Sequence, residues 1–247
     1  MYKPFNIVSR DSLFLFLIHV ISEEFKDHAI LKGGMVLRLF GSTRETLDLD
    51  YTFIPYSSKK EILPNIKAML NKIEGLDSFD IKVNSKMIRV IVSISGFSAH
   101  IEVSVAESIK TDIISTGSLR SEVNAATSKV VKIMSLDTAL SHKLAAWNER
   151  RLIRDLYDVF YLYAVQTTLP ELSVLEARLK NISSRIPKLK KIKSMNITEL
   201  KLELKNSVDA LSQDMLEESL VELLAENELT GLSMRMKDGL NRLINIL

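Results

Sequence analysis

The sequence contains no cysteine. Disulfides and cysteine-held zinc or iron–sulfur centres are therefore excluded, and a cytoplasmic location is expected. Glycine and proline are scarce, at 8 and 5 residues, which argues against a loop-rich or disordered chain. No segment reaches the ~18 uninterrupted apolar residues of a membrane span, so no membrane partner is expected. The longest apolar stretch, Ser12 to Ile21, lacks a small-residue cleavage site. It passes into Ser22–Asp27 at helical spacing and reads as a buried helix rather than a leader. A charge excess of one sign is missing too. The 33 Lys and Arg nearly cancel the 31 Asp and Glu, and a net +2 does not by itself imply nucleic acid. With 46% hydrophobic and 26% charged residues in 247, the chain can bury one large core or two smaller ones.

What is present is a short constellation. Gly33-Gly34 interrupts an apolar run, His28 to Phe40, and a helical pattern of Met35, Leu37, Leu39 and Phe40 follows. That order predicts a turn entering a helix, whose first amides could meet an anion. After the polar turn Gly41–Thr46, residues Leu47 to Ile54 alternate as a strand. Asp48 and Asp50 then share one strand face. Two close carboxylates repel unless a cation lies between them, and Mg2+ favours two carboxylates plus phosphate oxygens. A lone Asp-x-Asp is usually a solvated strand end, and a lone Gly-Gly is usually a plain turn. In this order they meet the needs of metal-dependent nucleotidyl transfer.

Further along, Lys59–Ile73 is a predicted helix. Phe79–Val83 and Met87–Ile94 read as a strand pair, and His100–Val105 as another strand. Glu102, on that last strand with His100 on its face, could be a third metal ligand, a general base or an outward-facing residue. From Ser135 the chain reads as helical almost throughout. Ser141–Leu162 has strong helix character, with Arg151–Asp155 and Arg154–Asp158 as i,i+4 pairs. Its cations, Lys143 above all, could instead meet a triphosphate. We expect two domains: 1–125, mixed helix and strand, and 126–247, a helical bundle.

Charge is patterned late in the chain. Lys180–Lys205 holds eight Lys or Arg against two Glu, including the run Arg185–Lys193. This run could contact RNA phosphates or form a solvated linker. Asp214–Glu228 holds six acids and no base, and Leu211–Leu229 reads as one amphipathic helix.

Gly33-Gly34, Arg44, Asp48-x-Asp50, Lys143 and Arg154-Asp155-x-x-Asp158 together resemble the AbiEii/AbiGii toxin family of nucleotidyltransferases. The most specific text is HKLxAWxxRxxxRDLYDVFYL, beginning at His142. The resemblance spans roughly residues 25 to 165. It implies an α+β fold: a polymerase-β-like nucleotidyltransferase mixed sheet flanked by helices, followed by the bundle. It implies NMP transfer from an NTP onto an acceptor such as RNA or tRNA, by the toxin of a toxin–antitoxin or phage-defence pair with a cognate antitoxin protein. The implied metal site is Asp48, Asp50 and Glu102, holding Mg2+ or Mn2+. The implied nucleotide contacts are Gly33, Gly34, Arg44, Lys143, Arg151, Arg154 and Asp155, with Asp158 catalytic beside the metal carboxylates and Lys143. One departure is Gly34, where the family often carries Ser or Thr. Two other readings are a catalytically inactive nucleotide- or RNA-binding protein of this fold, and a helical interaction protein.

Overall fold

The computed structural model describes residues 1–123, 125 and 127–247. They form two compact units, Met1–Ser42 with Thr46–Ser135, and Thr43–Glu45 with Leu136–Leu247. The expected boundary at 125/126 falls beside Ala126, which lies outside the described residues.

The first unit is built on a seven-stranded mixed sheet. Its strands are β1 (Ala29–Lys32), β2 (Asp48–Phe53), β3 (Leu76–Val83), β4 (Ile88–Ile94), β5 (Phe97–Val105), β6 (Thr111–Ser115) and β7 (Val130–Met134). The spatial order is β3-β4-β5-β2-β1-β7-β6. β2 lies between antiparallel β1 and parallel β5, in the interior of the sheet. Alternation sorts the two faces: Leu49, Tyr51 and Phe53 are buried with Val90, Val92, Ile101 and Val103. Helix α1 (Arg10–Phe25) packs against β1, β5 and β7, and Phe25 meets Phe53 edge-on at 4.7 Å. Every residue from Ser12 to Ile21 is buried, which is why this helix is apolar all round. A capping box between Ser9 and Ser12 starts it. His19, buried and 3.0 Å from the Thr116 hydroxyl, has its pKa pushed down to about 4, chiefly by burial. Helices α2 (Gly34–Leu39), α3 (Lys59–Leu70) and α4 (Gly117–Glu122) complete the unit.

The second unit is helical among the described residues: α5 (Leu136–Arg150), α6 (Ile153–Phe160), α7 (Leu172–Leu179), α8 (Ile197–Asp209), α9 (Gln213–Leu220), α10 (Glu226–Leu229) and α11 (Leu232–Ile246). α6 runs on into a π-helical turn, Tyr161–Val165. The expected single helix over Ser141–Leu162 is two helices. Arg151 takes φ +54° and ends the first one. The penalty for a side chain there is offset locally: the Arg151 guanidinium stacks 4.5 Å from the Trp147 ring and donates to Asn148 O and Asn148 Oδ1. The expected acidic helix is likewise divided, into α9 and α10. No helix among the described residues is long and apolar enough to cross a membrane.

α11 approaches α6 and its π-helical turn through Gly239. A methyl carbon there would lie 2.9 Å from Ala164 Cβ and 3.0 Å from the Phe160 ring. Alanine is the better helix former by about 1 kcal/mol, but overpacking costs about 1–3 kcal/mol. Gly239→Ala is therefore expected to lower stability, read as a smaller urea midpoint with an unchanged m-value.

Candidate active site

In the first unit the site starts at the end of β1. Lys32 pairs with Asp50 of β2, and the chain then turns at Gly33 with φ +76° into α2. A Cβ on Gly33 would lie 2.2 Å from Asp50 Oδ2. Glycine is required there twice over, for the backbone conformation and for the room the carboxylate occupies. Gly34 is buried as the first residue of α2.

The parallel register β2–β5 sets Asp48 opposite His100 and Asp50 opposite Glu102. All four residues therefore share the polar face of the sheet. Beneath it Tyr51 is buried, and burial drives its phenol pKa upward, so the hydroxyl stays protonated. Two cations that sequence reasoning missed stand on the polar face. Lys32, opposite Asp50, donates to Ser104 Oγ at 2.8 Å. Arg89 of β4, opposite Glu102, donates from Nε to Glu102 Oε1 at 3.0 Å. Only strand register could have revealed either.

The expected three-carboxylate set does not gather. Among the described residues no three His, Asp or Glu side chains form a metal-binding group. Glu102 is engaged by Arg89, and a carboxylate already paired with a guanidinium is a poor further ligand. Asp48 and Asp50 remain as a half-buried pair on one strand face. Two carboxylates suit a cation whose other ligands come from phosphate and water, as Mg2+ prefers.

In the second unit the centre is Asp158 of α6, 1% exposed. Its Oδ2 lies 2.6 Å from Lys143 Nζ on α5, and its Oδ1 lies 2.8 Å from Arg44 Nε. Arg44 belongs to the three-residue segment Thr43–Glu45, which the second unit holds by a bond from Glu45 N–H to Leu223 O at 2.8 Å. Asp155, also 1% exposed, pairs with Arg150 at 2.6 Å. Arg151 pairs with Glu203 at 2.9 Å. The expected Arg151–Asp155 and Arg154–Asp158 pairs are thus replaced: the helix breaks at Arg151, before Asp155, while on α6 Asp158 turns inward to Arg44 and Lys143 and Arg154 stays exposed. Arg154 is exposed and enters no ion pair among the described residues. Lys143 retains 19% side-chain exposure, whereas the two carboxylate oxygens of Asp158 are each engaged by a cation.

The family model described as nucleotidyl transferase AbiEii toxin, Type IV toxin–antitoxin system, matches residues 16–232. The chain belongs to the AbiEii toxin family. It is a nucleotidyltransferase, and a toxin by family. Solved structures agree on the fold. MenT4, a nucleotidyltransferase toxin from Mycobacterium tuberculosis H37Rv, matches with TM-score 0.64 and 14% identity over 96% of this chain and 83% of that one. JHP933 from Helicobacter pylori matches at 0.55 with 17% identity over 98% and 95% of the two chains. A nucleotidyltransferase from H. pylori, described as putative, matches at 0.51 with 16% identity over 94% and 93%. No curated protein matches.

For this AbiEii protein, Gly33→Ala is expected to cost about 1–3 kcal/mol in backbone strain alone. It should also displace Asp50 and so depress transfer far more than its loss of stability explains, which denaturation and turnover measured together will show. Asp158→Asn leaves buried Arg44 and part-buried Lys143 without their counter-charge and is expected to cost about 3 kcal/mol in urea unfolding. Lys143→Met, which leaves Asp158 its arginine, should cost less than half of that.

Proposed function

We propose that this AbiEii protein moves an NMP from an NTP onto an RNA acceptor, tRNA among them, using Mg2+ or Mn2+, and that a cognate antitoxin restrains it. The observation that carries the reading is the contact of the Asp50 carboxylate with the Gly33 backbone, with Asp48 on the same strand face. A scaffold has no need for a carboxylate pressed against a side-chain-free turn with a second carboxylate on the same strand face.

In this reading Gly33 and Gly34 leave backbone amides open to phosphate oxygens, with no side chain in the way. Asp48 and Asp50 hold the divalent ion, which when bound supplies charge neutralisation and polarisation at the reacting phosphoryl group. In the second unit Lys143, kept in position by Asp158, is a cation able to offset phosphate charge. Arg154, exposed on the first turn of α6, is a further cation of that unit. An acceptor hydroxyl oxygen bonds to the α-phosphorus in line. The bond from that phosphorus to the bridging oxygen breaks, and pyrophosphate leaves with the electron pair. The hydroxyl proton passes to solvent or a nearby carboxylate.

The test is incubation with each α-³²P NTP, Mg2+ and total tRNA, followed by a denaturing gel. Wild-type protein is expected to label RNA. Asp48→Asn/Asp50→Asn is expected to reduce labelling about a thousand-fold or more, a loss of at least ~4 kcal/mol of transition-state stabilisation. It should do so with an unchanged melting temperature. A double variant that retains full labelling refutes the site.

A further inference from the structure

The basic run Arg185–Lys193 forms a closed loop between α7 and α8. Ile182 N–H donates to Lys193 O at 2.9 Å and Met195 N–H to Leu179 O at 3.0 Å, which closes its ends. Two bonds pin its beginning to the last turn of α5: Ser184 Oγ to Glu149 O at 2.6 Å, and Ser183 N–H to Glu149 Oε1 at 3.2 Å. Within the loop, Ile182 is buried and Ile186, Leu189 and Ile192 are half-buried, whereas Arg185, Lys188, Lys190, Lys191 and Lys193 are all exposed. The apolar side chains hold the loop down and the cations face out.

Two features separate this surface from an ordinary solvated charge run. From Lys180 to Thr198 there are six Lys or Arg and no acid. Several other cations of the unit are matched, Arg178 with Glu149, Lys205 with Asp209 and Arg242 with Asp238, whereas the loop gathers its unmatched ones in one short segment. Among the described residues none of the five loop cations enters an ion pair. The loop is also placed by the helix that carries Lys143. Glu149, its anchor, is six residues along α5, about 9 Å at 1.5 Å per residue.

We infer that the loop Ile182–Lys193 is a docking surface for the phosphate backbone of the acceptor RNA. This rests on the reading that the acceptor is RNA. A row of unpaired, outward-facing cations on a pinned loop meets the requirement for phosphate contact: charge without base recognition, gained through counterion release. The loop positions the acceptor and takes no part in the chemistry.

The test compares wild type with Lys188→Gln/Lys190→Gln/Lys191→Gln/Lys193→Gln and with the corresponding four-fold Lys→Arg variant. Binding of fluorescein-labelled total tRNA is followed by anisotropy across a KCl series, beside Mg2+-dependent NTP binding and the KM and kcat for tRNA labelling. The Gln variant should bind tRNA about ten-fold or more weakly at low salt. Its slope of log Kd against log[KCl] should be shallower by roughly 3, from ~0.7–0.9 for each lost phosphate contact. Its KM for tRNA should rise with kcat and NTP affinity unchanged, and the Arg variant should behave as wild type. An unchanged Kd and slope in the Gln variant, while wild type labels RNA, overturns the loop assignment and leaves the transfer reading standing. So does a Gln variant that keeps tRNA affinity but loses its cognate antitoxin. Wild type that neither binds nor labels RNA overturns both.

Discussion

The approach of the Asp50 carboxylate to the backbone of Gly33 is the tightest constraint in the first unit. No side-chain carbon fits between them, and the backbone there takes a positive φ. Several independent choices must agree for this contact to exist. β1 must end at Lys32 so that the turn falls at the glycine. The antiparallel register must set Lys32 against Asp50. The alternation of β2 must send Leu49 and Tyr51 into the core so that Asp48 and Asp50 emerge together. A slip of one residue would bury both carboxylates and expose the apolar set. The sheet's hydrophobic face is therefore what aims the polar face that carries Asp48 and Asp50, and helix α1, buried from Ser12 to Ile21, is what makes that hydrophobic face strong.

The second unit solves a different problem, that of holding charge out of water. Asp158 and Asp155 are both buried, and each is compensated by cations from neighbouring segments. Such an arrangement adds little net stability, since desolvation offsets attraction, but it fixes geometry. Arg44 shows how far the fold goes to supply the counter-charge. It lies in sequence between the glycine pair and the aspartates, yet its three-residue segment belongs to the helical unit. Lys143, held by Asp158 and partly exposed, keeps a defined position for its ammonium. Arg151 is different: its stacking on Trp147 and its ion pair with Glu203 sustain the helix break.

Much of this was legible from residue order. The glycine pair, the Asp-x-Asp strand, the buried N-terminal helix, the strand pair that became β3 and β4, the separate strand β5 and a mixed part followed by helices all rest on local rules: turn chemistry, period-two alternation and uninterrupted apolarity. The family text around Lys143 and Asp158 was legible for the same reason, as short-range spacing. β6 and β7 were missed because their exposed residues, Ile113 and Val130, blur the alternation and their partners lie far off in sequence. The break at Arg151 was missed because nothing in Arg-Arg-Leu-Ile announces it. A left-handed residue there is normally glycine or asparagine, and this one is sustained by tertiary bonds.

The sequence alone determined which residues carry charge, which faces are apolar, and the order in which glycines, carboxylates and cations arrive, since these depend only on identity and on neighbours a few positions away. Partnership belongs to the tertiary structure. It set Arg89 against Glu102, Arg44 and Lys143 rather than Arg154 against Asp158, and Arg150 rather than Arg151 against Asp155. The reason is that a pair of charges is worth having only at a few ångströms and out of water. Distance and burial at that scale are set by strand register and helix packing between segments remote in the chain.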